Sequence, residues 1–295
     1  MIQLNSKNLK SASLAHLATA QTEIDSELTY EAKTKKAKTK WAGKTGSVAA
    51  KLAFADVKSV LTDMCSGVQI CVYCEHNEAT DIEHIYPKRL YPEKAFVWTN
   101  YVFACGRCNT HYKGENFMIF NPSGSATVQD ITPQANVYII PSNDDAVFIN
   151  QRLEDPMSFL ELDILNQQYI FIERNTSGRD YEKAKYTKEL LGLNERADLV
   201  RQRKAAHRWY FSELTKYVAL KNAPDFNTLI FNARGEININ LTSSFEIEKQ
   251  KALDTLKLEI LSHSHPTVWK ELIRQRAFLP QTNILINQAT EILTW

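Results

Sequence analysis

The residue types that could do chemistry are concentrated in one central stretch of the chain. Two cysteine pairs, Cys71-x-x-Cys74 and Cys105-x-x-Cys108, are separated by 30 residues. This spacing is typical of a tetrahedral four-thiolate zinc site, because each short turn presents two thiolates to one ion. Two matched pairs favour this interpretation over scattered core thiols. The fifth cysteine, Cys65, is interpreted as a buried thiol.

An acidic residue and a histidine lie between the two pairs. Glu83 precedes His84, and Asn109 directly follows the last cysteine. A neutral imidazole is a suitable general base near pH 7. A carboxylate and an amide oxygen suit Mg²⁺ or Mn²⁺, which prefer oxygen ligands. On a strand, adjacent side chains point to opposite faces, so Glu83 could hold the ion while His84 meets a water molecule. These residues predict metal-dependent hydrolysis of a phosphodiester.

Four segments resemble HNH endonucleases of the zinc-knuckled ββα-metal type. They are Cys71-x2-Cys74, Ile82-Glu83-His84-Ile85-x-Pro87-Lys88, Trp98-x-Asn100 and Ala104-Cys105-x2-Cys108-Asn109-x3-Lys113. The resemblance implies that the zinc is structural and that the products carry 5′-phosphate and 3′-hydroxyl ends. It also implies the catalytic roles, with His84 as general base, Glu83 and Asn109 as ligands of Mg²⁺ or Mn²⁺, Asn100 bracing the loop between two strands, and Lys113 near a phosphate.

Two departures from the family pattern concern the catalytic ion. The residue before the histidine is often Asp, and Glu83 is one methylene longer, which makes its direct metal contact less secure. Many members have His where this chain has Asn109, and the amide favours an oxygen-preferring ion such as Mg²⁺. Lys88, Arg89 and Arg107 are further candidate contacts for nucleic acid, with a solvated surface role as the alternative.

A narrower resemblance points to one HNH subgroup. Glu83-His84, Pro87-Lys88, Tyr91-Pro92, Phe96-x-Trp98-x-Asn100 and Cys108-Asn109 are similar to the nuclease subunits of Septu and retron-associated anti-phage systems, as are Tyr181-Glu182-Lys183-Ala184 and Leu190-Leu191-Gly192-Leu193-Asn194. The subgroup implies an effector that acts on nucleic acid, most simply double-stranded DNA, beside an ABC-type ATPase partner. A stand-alone restriction or homing nuclease and a non-catalytic zinc adaptor remain alternatives.

The secondary-structure pattern around these residues predicts an α+β fold. We expect an N-terminal helical segment over 1–66, a small ββα-metal module over 67–120, a β-rich region over 121–175 and a helical, partner-docking region over 176–295. Ser47 is the predicted N-cap of a helix that runs to about Met64. Val137–Ile140 and Val147–Ile149 are predicted strands, and Phe159–Ile164 with Tyr169–Glu173 a predicted hairpin.

Charge divides unevenly along the chain. Residues 1–66 contain ten lysines and six acidic residues, and residues 181–221 contain ten basic and five acidic residues. Basic faces attract phosphate, although solvated helix faces are an equal alternative. Lys33–Lys44 is interpreted as a basic arm or helix face in which Trp41 packs. Arg196, Arg201, Arg203, Lys204 and Arg208 are interpreted as solvent-facing, with contact to DNA or an acidic partner as the alternative.

The sequence gives no indication of a membrane protein. No apolar run reaches the roughly 18 residues that a transmembrane helix needs, and the first residues lack a signal-peptide pattern. A cytoplasmic protein without a membrane partner is the expectation.

Overall fold

The computed structural model describes residues 1–65, 68–76, 78–122 and 124–295. These residues form a mixed structure of helices and short antiparallel hairpins, as the predicted α+β class requires. The helices are α1 Ser11–Asp25, α2 Tyr30–Ala42, α3 Val48–Met64, α4 Gly178–Leu190, α5 Ala197–Lys221, α6 Phe226–Ala233, α7 Phe245–Ser262, α8 Pro266–Arg274 and α9 Pro280–Gln288. The strands are β1 Asp81–His84, β2 Tyr101–Ala104, β3 Met118–Phe120, β4 Val128–Asp130, β5 Leu160–Leu162 and β6 Phe171–Glu173. Among the described residues, no helix has the length and apolarity to cross a bilayer.

The chain forms two compact units. The first comprises Met1–Glu161 and Phe171–Arg196, and the second comprises Leu162–Ile170 and Ala197–Trp295. The three N-terminal helices therefore belong to the same unit as the cysteine-bearing segment. In the second unit, α6 to α9 pack around the long helix α5, whose inner face contributes buried Tyr210, Leu214 and Leu220.

The N-terminal helices begin at capping side chains. Thr29 accepts a hydrogen bond from the amide of Ala32 at the start of α2. Ser47 accepts one from the amide of Ala50 at the start of α3, which confirms the predicted N-cap. These hydroxyls satisfy backbone donors that a helix leaves unpaired at its first turn. The two caps therefore set the residues at which α2 and α3 begin.

Strands β1 and β2 form the antiparallel hairpin that positions the site. Their register pairs Asp81 with Ala104 and His84 with Tyr101. A π-helix, Arg107–Lys113, follows β2 directly. Helix α3 packs against β2, and α1 and α2 contact the turn Pro92–Lys94 within the connection between the strands. One face of the hairpin is therefore covered by N-terminal helices and the other by the π-helix.

The region between the hairpin and α4 contains less strand than the sequence predicts. Val137–Ile140 is irregular, and Ile139 and Ile140 are 65% and 67% exposed, so the predicted strand is wrong. Val147–Ile149 is buried but forms no strand either. Strand propensity depends on pairing with a neighbour. None of the described strands pairs with Val137–Ile140, and Val147 donates one hydrogen bond from its amide to the carbonyl of Met118 in β3, beside an isolated bridge between Ile119 and Ala146. The predicted hairpin does form, as β5 and β6.

Candidate metal centre and catalytic site

The four cysteines Cys71, Cys74, Cys105 and Cys108 lie together at the end of the hairpin where β1 begins and β2 ends. Their sulfur atoms all lie within 4.8 Å of one another and all four residues are buried. A tetrahedral zinc ion with bonds of about 2.3 Å would hold its sulfurs about 3.8 Å apart. The Sγ atoms of Cys74 and Cys105 are 4.0 Å apart. The cluster therefore fits a zinc ion, with two ligands before β1 and two after β2.

Arg196 is an unpredicted neighbour of this cluster. It is 3% exposed, and its Nη1 donates a hydrogen bond of 3.3 Å to the Cys108 sulfur. Its guanidinium also lies 5.0 Å from the ring of Tyr112. A zinc ion with four thiolates carries a net negative charge, which a buried guanidinium offsets. The solvent-facing interpretation is wrong for Arg196 and also for Arg203, which is buried and donates to the carbonyl of Tyr169.

His84 lies at the other end of β1, in a pocket closed by aromatic rings. Its ring centroid is 4.1 Å from that of Trp41 and 5.3 Å from that of Tyr101. The Nε2 atom is 2.9 Å from the carbonyl oxygen of Ala95. Because a carbonyl can only accept, Nε2 carries the hydrogen and the neutral ring keeps its lone pair on Nδ1. The contact fixes both the orientation and the tautomer of the imidazole.

Burial and nearby cations keep the imidazole neutral. Desolvation lowers the pKa of His84 well below its ordinary value, and the charges of Lys88, Lys113 and Lys44 act in the same direction. The ammonium groups of Lys44 and Lys88 lie 4.9 and 5.9 Å from the Trp41 ring. Within the described residues, neither has an ion-pair partner. Burial lowers the pKa of both lysines. Two ammonium groups that form no close ion pair among the described residues give the surroundings of the neutral imidazole a positive potential, which attracts anions.

The opposite face of β1 carries two carboxylates that contact the π-helix. The Nζ of Lys113 lies 2.6 Å from Glu83 Oε1 and 2.8 Å from the carbonyl oxygen of His84. The Nδ2 of Asn109 donates to Asp81 Oδ2 at 3.0 Å. Glu83 and Asn109, the predicted ligands of one ion, therefore have different hydrogen-bond partners: Lys113 for Glu83 and Asp81 for Asn109. Asp81 was missed by sequence reasoning, although it shares a strand face with Glu83 by alternation.

Asn100 holds together the loop that joins the two strands. Its Oδ1 accepts a hydrogen bond from the amide of Tyr86 at 2.8 Å. Its Nδ2 donates to the carbonyl oxygens of Tyr86 and Lys94 at 3.0 and 2.9 Å. The side chain is buried, so these three bonds replace contacts with water. This arrangement orients the loop that carries Ala95 and hence the His84 imidazole.

The four candidate contacts for nucleic acid differ in accessibility. Arg107 is exposed and Lys88 is half-buried. Arg89 is half-buried, pairs with Glu115 at 3.2 Å and donates to the carbonyl of Gln134. Lys113 has no exposed side-chain surface and is ion-paired with Glu83, so its ammonium is not available to nucleic acid in this arrangement. Lys113 holds β1 against the π-helix.

Comparisons of the chain with protein-family models, with curated proteins and with solved structures gave no match. The zinc-binding geometry of the four cysteines therefore stands on the structure alone. The likeness to HNH endonucleases stays a prediction from sequence motifs.

Proposed function

We propose that this protein is a metal-dependent HNH-type endonuclease that hydrolyses a nucleic-acid phosphodiester. The observation that carries the proposal is the environment of His84. A neutral imidazole of fixed tautomer lies beside two ammonium groups, Lys44 and Lys88, that form no close ion pair among the described residues. Asp81 attracts Lys44, and Glu83 and Glu115 attract Lys88, at longer range. Such a site attracts an anion and places a proton acceptor for the attacking water beside it, and phosphodiester hydrolysis requires both.

In the proposed reaction, His84 accepts the proton of the attacking water. The Ala95 carbonyl holds Nε2–H, so Nδ1 takes the proton and the imidazolium is stabilised by the same hydrogen bond. Lys44 and Lys88 offset the charge that develops on the phosphate oxygens. Asn100 acts as a positioning residue, because it orders the loop that contains Ala95.

The side chains on the other face of β1 are of the kind that holds the catalytic ion. Glu83 and Asn109 offer oxygen donors, and Asp81 orients the Asn109 amide by accepting from Nδ2. Oxygen donors suit Mg²⁺ or Mn²⁺. The bound ion supplies charge neutralisation at the phosphate and the leaving oxygen.

Access to His84 requires a movement of Trp41. The histidine is 3% exposed, and the indole that covers it lies at the end of α2, directly before a turn that contains Gly43 and Gly46. We propose that substrate binding displaces the indole. Lys44 lies in the same turn. The segment that would attract phosphate is therefore the segment that must move when Trp41 is displaced.

The test is cleavage of plasmid DNA with Mg²⁺ or Mn²⁺ by the purified chain and by His84→Ala. General-base catalysis contributes roughly 10²- to 10⁴-fold, and we expect a loss of rate of that size. His111→Ala is the matched control, because His111 is an exposed histidine of the same segment. Equal cleavage by His84→Ala and the unmodified chain would refute the catalytic assignment and favour the zinc adaptor.

The role as an effector beside an ABC-type ATPase is also a proposal and is supported by the subgroup resemblance alone. Its test is copurification of the chain with the product of the neighbouring gene, followed by cleavage assays with and without that product. Vigorous, sequence-specific cleavage by the isolated chain would favour a stand-alone nuclease instead.

A further inference from the structure

A groove of about 380 Å³ lies in the first unit, on the side of α2 that faces residues 135–138. Its lining includes Lys35 and Lys38 from α2, Lys88 and Arg89 from the segment after β1, and Tyr138. These residues come from three separate parts of the chain. Of these residues, Lys88 alone belongs to the segments that carry the resemblance to HNH endonucleases.

The groove is strongly cationic. Four of its lining side chains are basic and one, Glu115, is acidic. Lys38 is exposed and has no ion-pair partner among the described residues. Lys35 pairs with Glu31 at 2.6 Å, but both side chains are largely exposed, and such surface pairs are weak. Two flexible ammonium groups on α2 are therefore available to an anionic ligand.

The groove also contains an aromatic surface. Tyr138 is half-buried, and the Nζ of Lys35 lies 5.7 Å from its ring. An aromatic ring bordered by lysines can stack a base while the ammonium groups contact the flanking phosphates. A duplex keeps its bases stacked on one another, so a tyrosine can use this surface only with an unpaired base. The volume is that of a small-ligand pocket, which suits a nucleotide rather than a double helix.

The groove leads to the histidine pocket. Lys88 lines the groove and lies 5.9 Å from the ring of Trp41, which in turn covers His84. Lys38 and Trp41 are three residues apart on α2 and therefore lie on one side of that helix. We propose that the groove binds a single-stranded nucleic-acid segment, with its phosphates on Lys35 and Lys38 and a base against Tyr138. A further role of the groove, in directing the bound strand toward His84, rests on the proposed nuclease function.

The test is binding of a fluorescein-labelled oligothymidine by the full chain, followed by anisotropy over a series of salt concentrations without added Mg²⁺ or Mn²⁺. The double variant Lys35→Gln/Lys38→Gln removes two phosphate contacts. We expect binding at about 0.1 M salt to weaken roughly 10- to 30-fold and the log–log salt slope to fall by about 1.4. Both side chains are exposed, so the variant should fold normally.

The matched control is Lys36→Gln/Lys40→Gln, which removes the same charge from the same helix outside the groove. Lys36 pairs with Glu27 at 3.3 Å, and Lys40 pairs with Glu23. We expect the control to bind within about threefold of the unmodified chain, since distant charges are screened at this salt concentration. Equal weakening by the two double variants would refute the groove, because net charge alone would then explain binding.

A third variant, Tyr138→Leu, tests the stacking position. Loss of one stacked base weakens binding about 5- to 100-fold, and the salt slope should stay unchanged because no phosphate contact is lost. The same strand annealed to its complement should be insensitive to Tyr138→Leu. An equal effect on duplex binding would contradict the single-strand assignment. No step of this assay involves cleavage. A chain without nuclease activity could therefore still confirm binding in the groove, and an active nuclease could still fail to bind single strands there.

Discussion

The two ends of the β1–β2 hairpin are assembled in different ways. At one end, four sulfurs from residues 71 to 108 converge on one point. At the other, the surroundings of His84 come from Trp41, Lys44 and the loop that contains Ala95. The first end is a local structure built from one residue type, whereas the second depends on packing between segments that are 40 or more residues apart in the sequence.

This difference predicts different responses to substitution. A zinc ion bound by the four thiolates would concentrate the stability of one end in a few atoms, so a single substitution there should disrupt it. Several contacts of moderate strength hold the His84 pocket. Each single substitution there should therefore lower stability or activity only in part. Three measurements can test this contrast.

The largest effect is expected for Cys105→Ser. A structural zinc site contributes about 10–16 kcal/mol of apparent binding energy in small domains, and the folding of the first unit should depend on it. We expect loss of one equivalent of bound zinc and of the cooperative thermal transition of this unit, measured by elemental analysis and circular dichroism. Cys65→Ala is the control, because Cys65 is a buried free thiol outside the cluster and its removal should leave the zinc in place. A Cys105→Ser protein with full zinc content would contradict the assignment.

A smaller effect is expected for Asn100→Ala. The substitution leaves the amide of Tyr86 and the carbonyls of Tyr86 and Lys94 without their buried partner. We expect a loss of about 3 kcal/mol in the free energy of unfolding, measured with urea. Asn116→Ala is the matched control, since Asn116 is exposed and makes one long bond of 3.3 Å to the carbonyl of Tyr112. Equal stability of the two variants would show that the loop does not depend on Asn100.

The smallest effect is the contribution of His84 to the pH dependence of stability. Its folded-state pKa is lowered by burial, whereas the unfolded chain has the ordinary value of about 6.5. Below about pH 6.5 the unfolded state therefore binds a proton that the folded state does not, and stability falls as the pH falls. Between pH 7 and 5.5 the loss from this group has an upper limit of about 1.2 kcal/mol, which applies when the folded state binds no proton over this range.

Urea unfolding of the unmodified chain and of His84→Gln over this pH range isolates that contribution. The variant should lose less stability on acidification, because glutamine does not titrate. Identical pH dependence of the two proteins would mean that the imidazole is hydrated in the folded state.

The sequence predicts the parts that depend on local chemistry. The cluster of four cysteines that could bind zinc follows from residue type and spacing, and the start of α3 follows from the Ser47 hydroxyl. The strands β1 and β2 pair with each other, and Asn100 holds the loop between them. The family resemblance that led us to expect this role for Asn100 stays a prediction. These features need only a few neighbouring residues to be recognised.

The features that depend on tertiary contacts could not be predicted. Nothing in the Lys33–Lys44 run indicates that its tryptophan covers His84, because the two are brought together by helix packing. Lys113 is indistinguishable in the sequence from an exposed phosphate contact until its burial against Glu83 is seen. Val137–Ile140 has the composition of a strand, yet none of the strands in the described ranges pairs with it. Arg196 reaches the cysteine cluster from 88 residues away.

The N-terminal helices have a practical consequence for anyone who wishes to isolate a minimal fragment that contains His84. Gln21 of α1 donates to the carbonyl of Pro92 and accepts from the amide of Phe96, and Trp41 packs on the Phe96 ring. A fragment that starts at residue 67 would lose these partners and expose aromatic surface at the mouth of its own pocket. The smallest expressible piece that retains the histidine environment should therefore include α1, α2 and α3 rather than the cysteine-bearing segment alone.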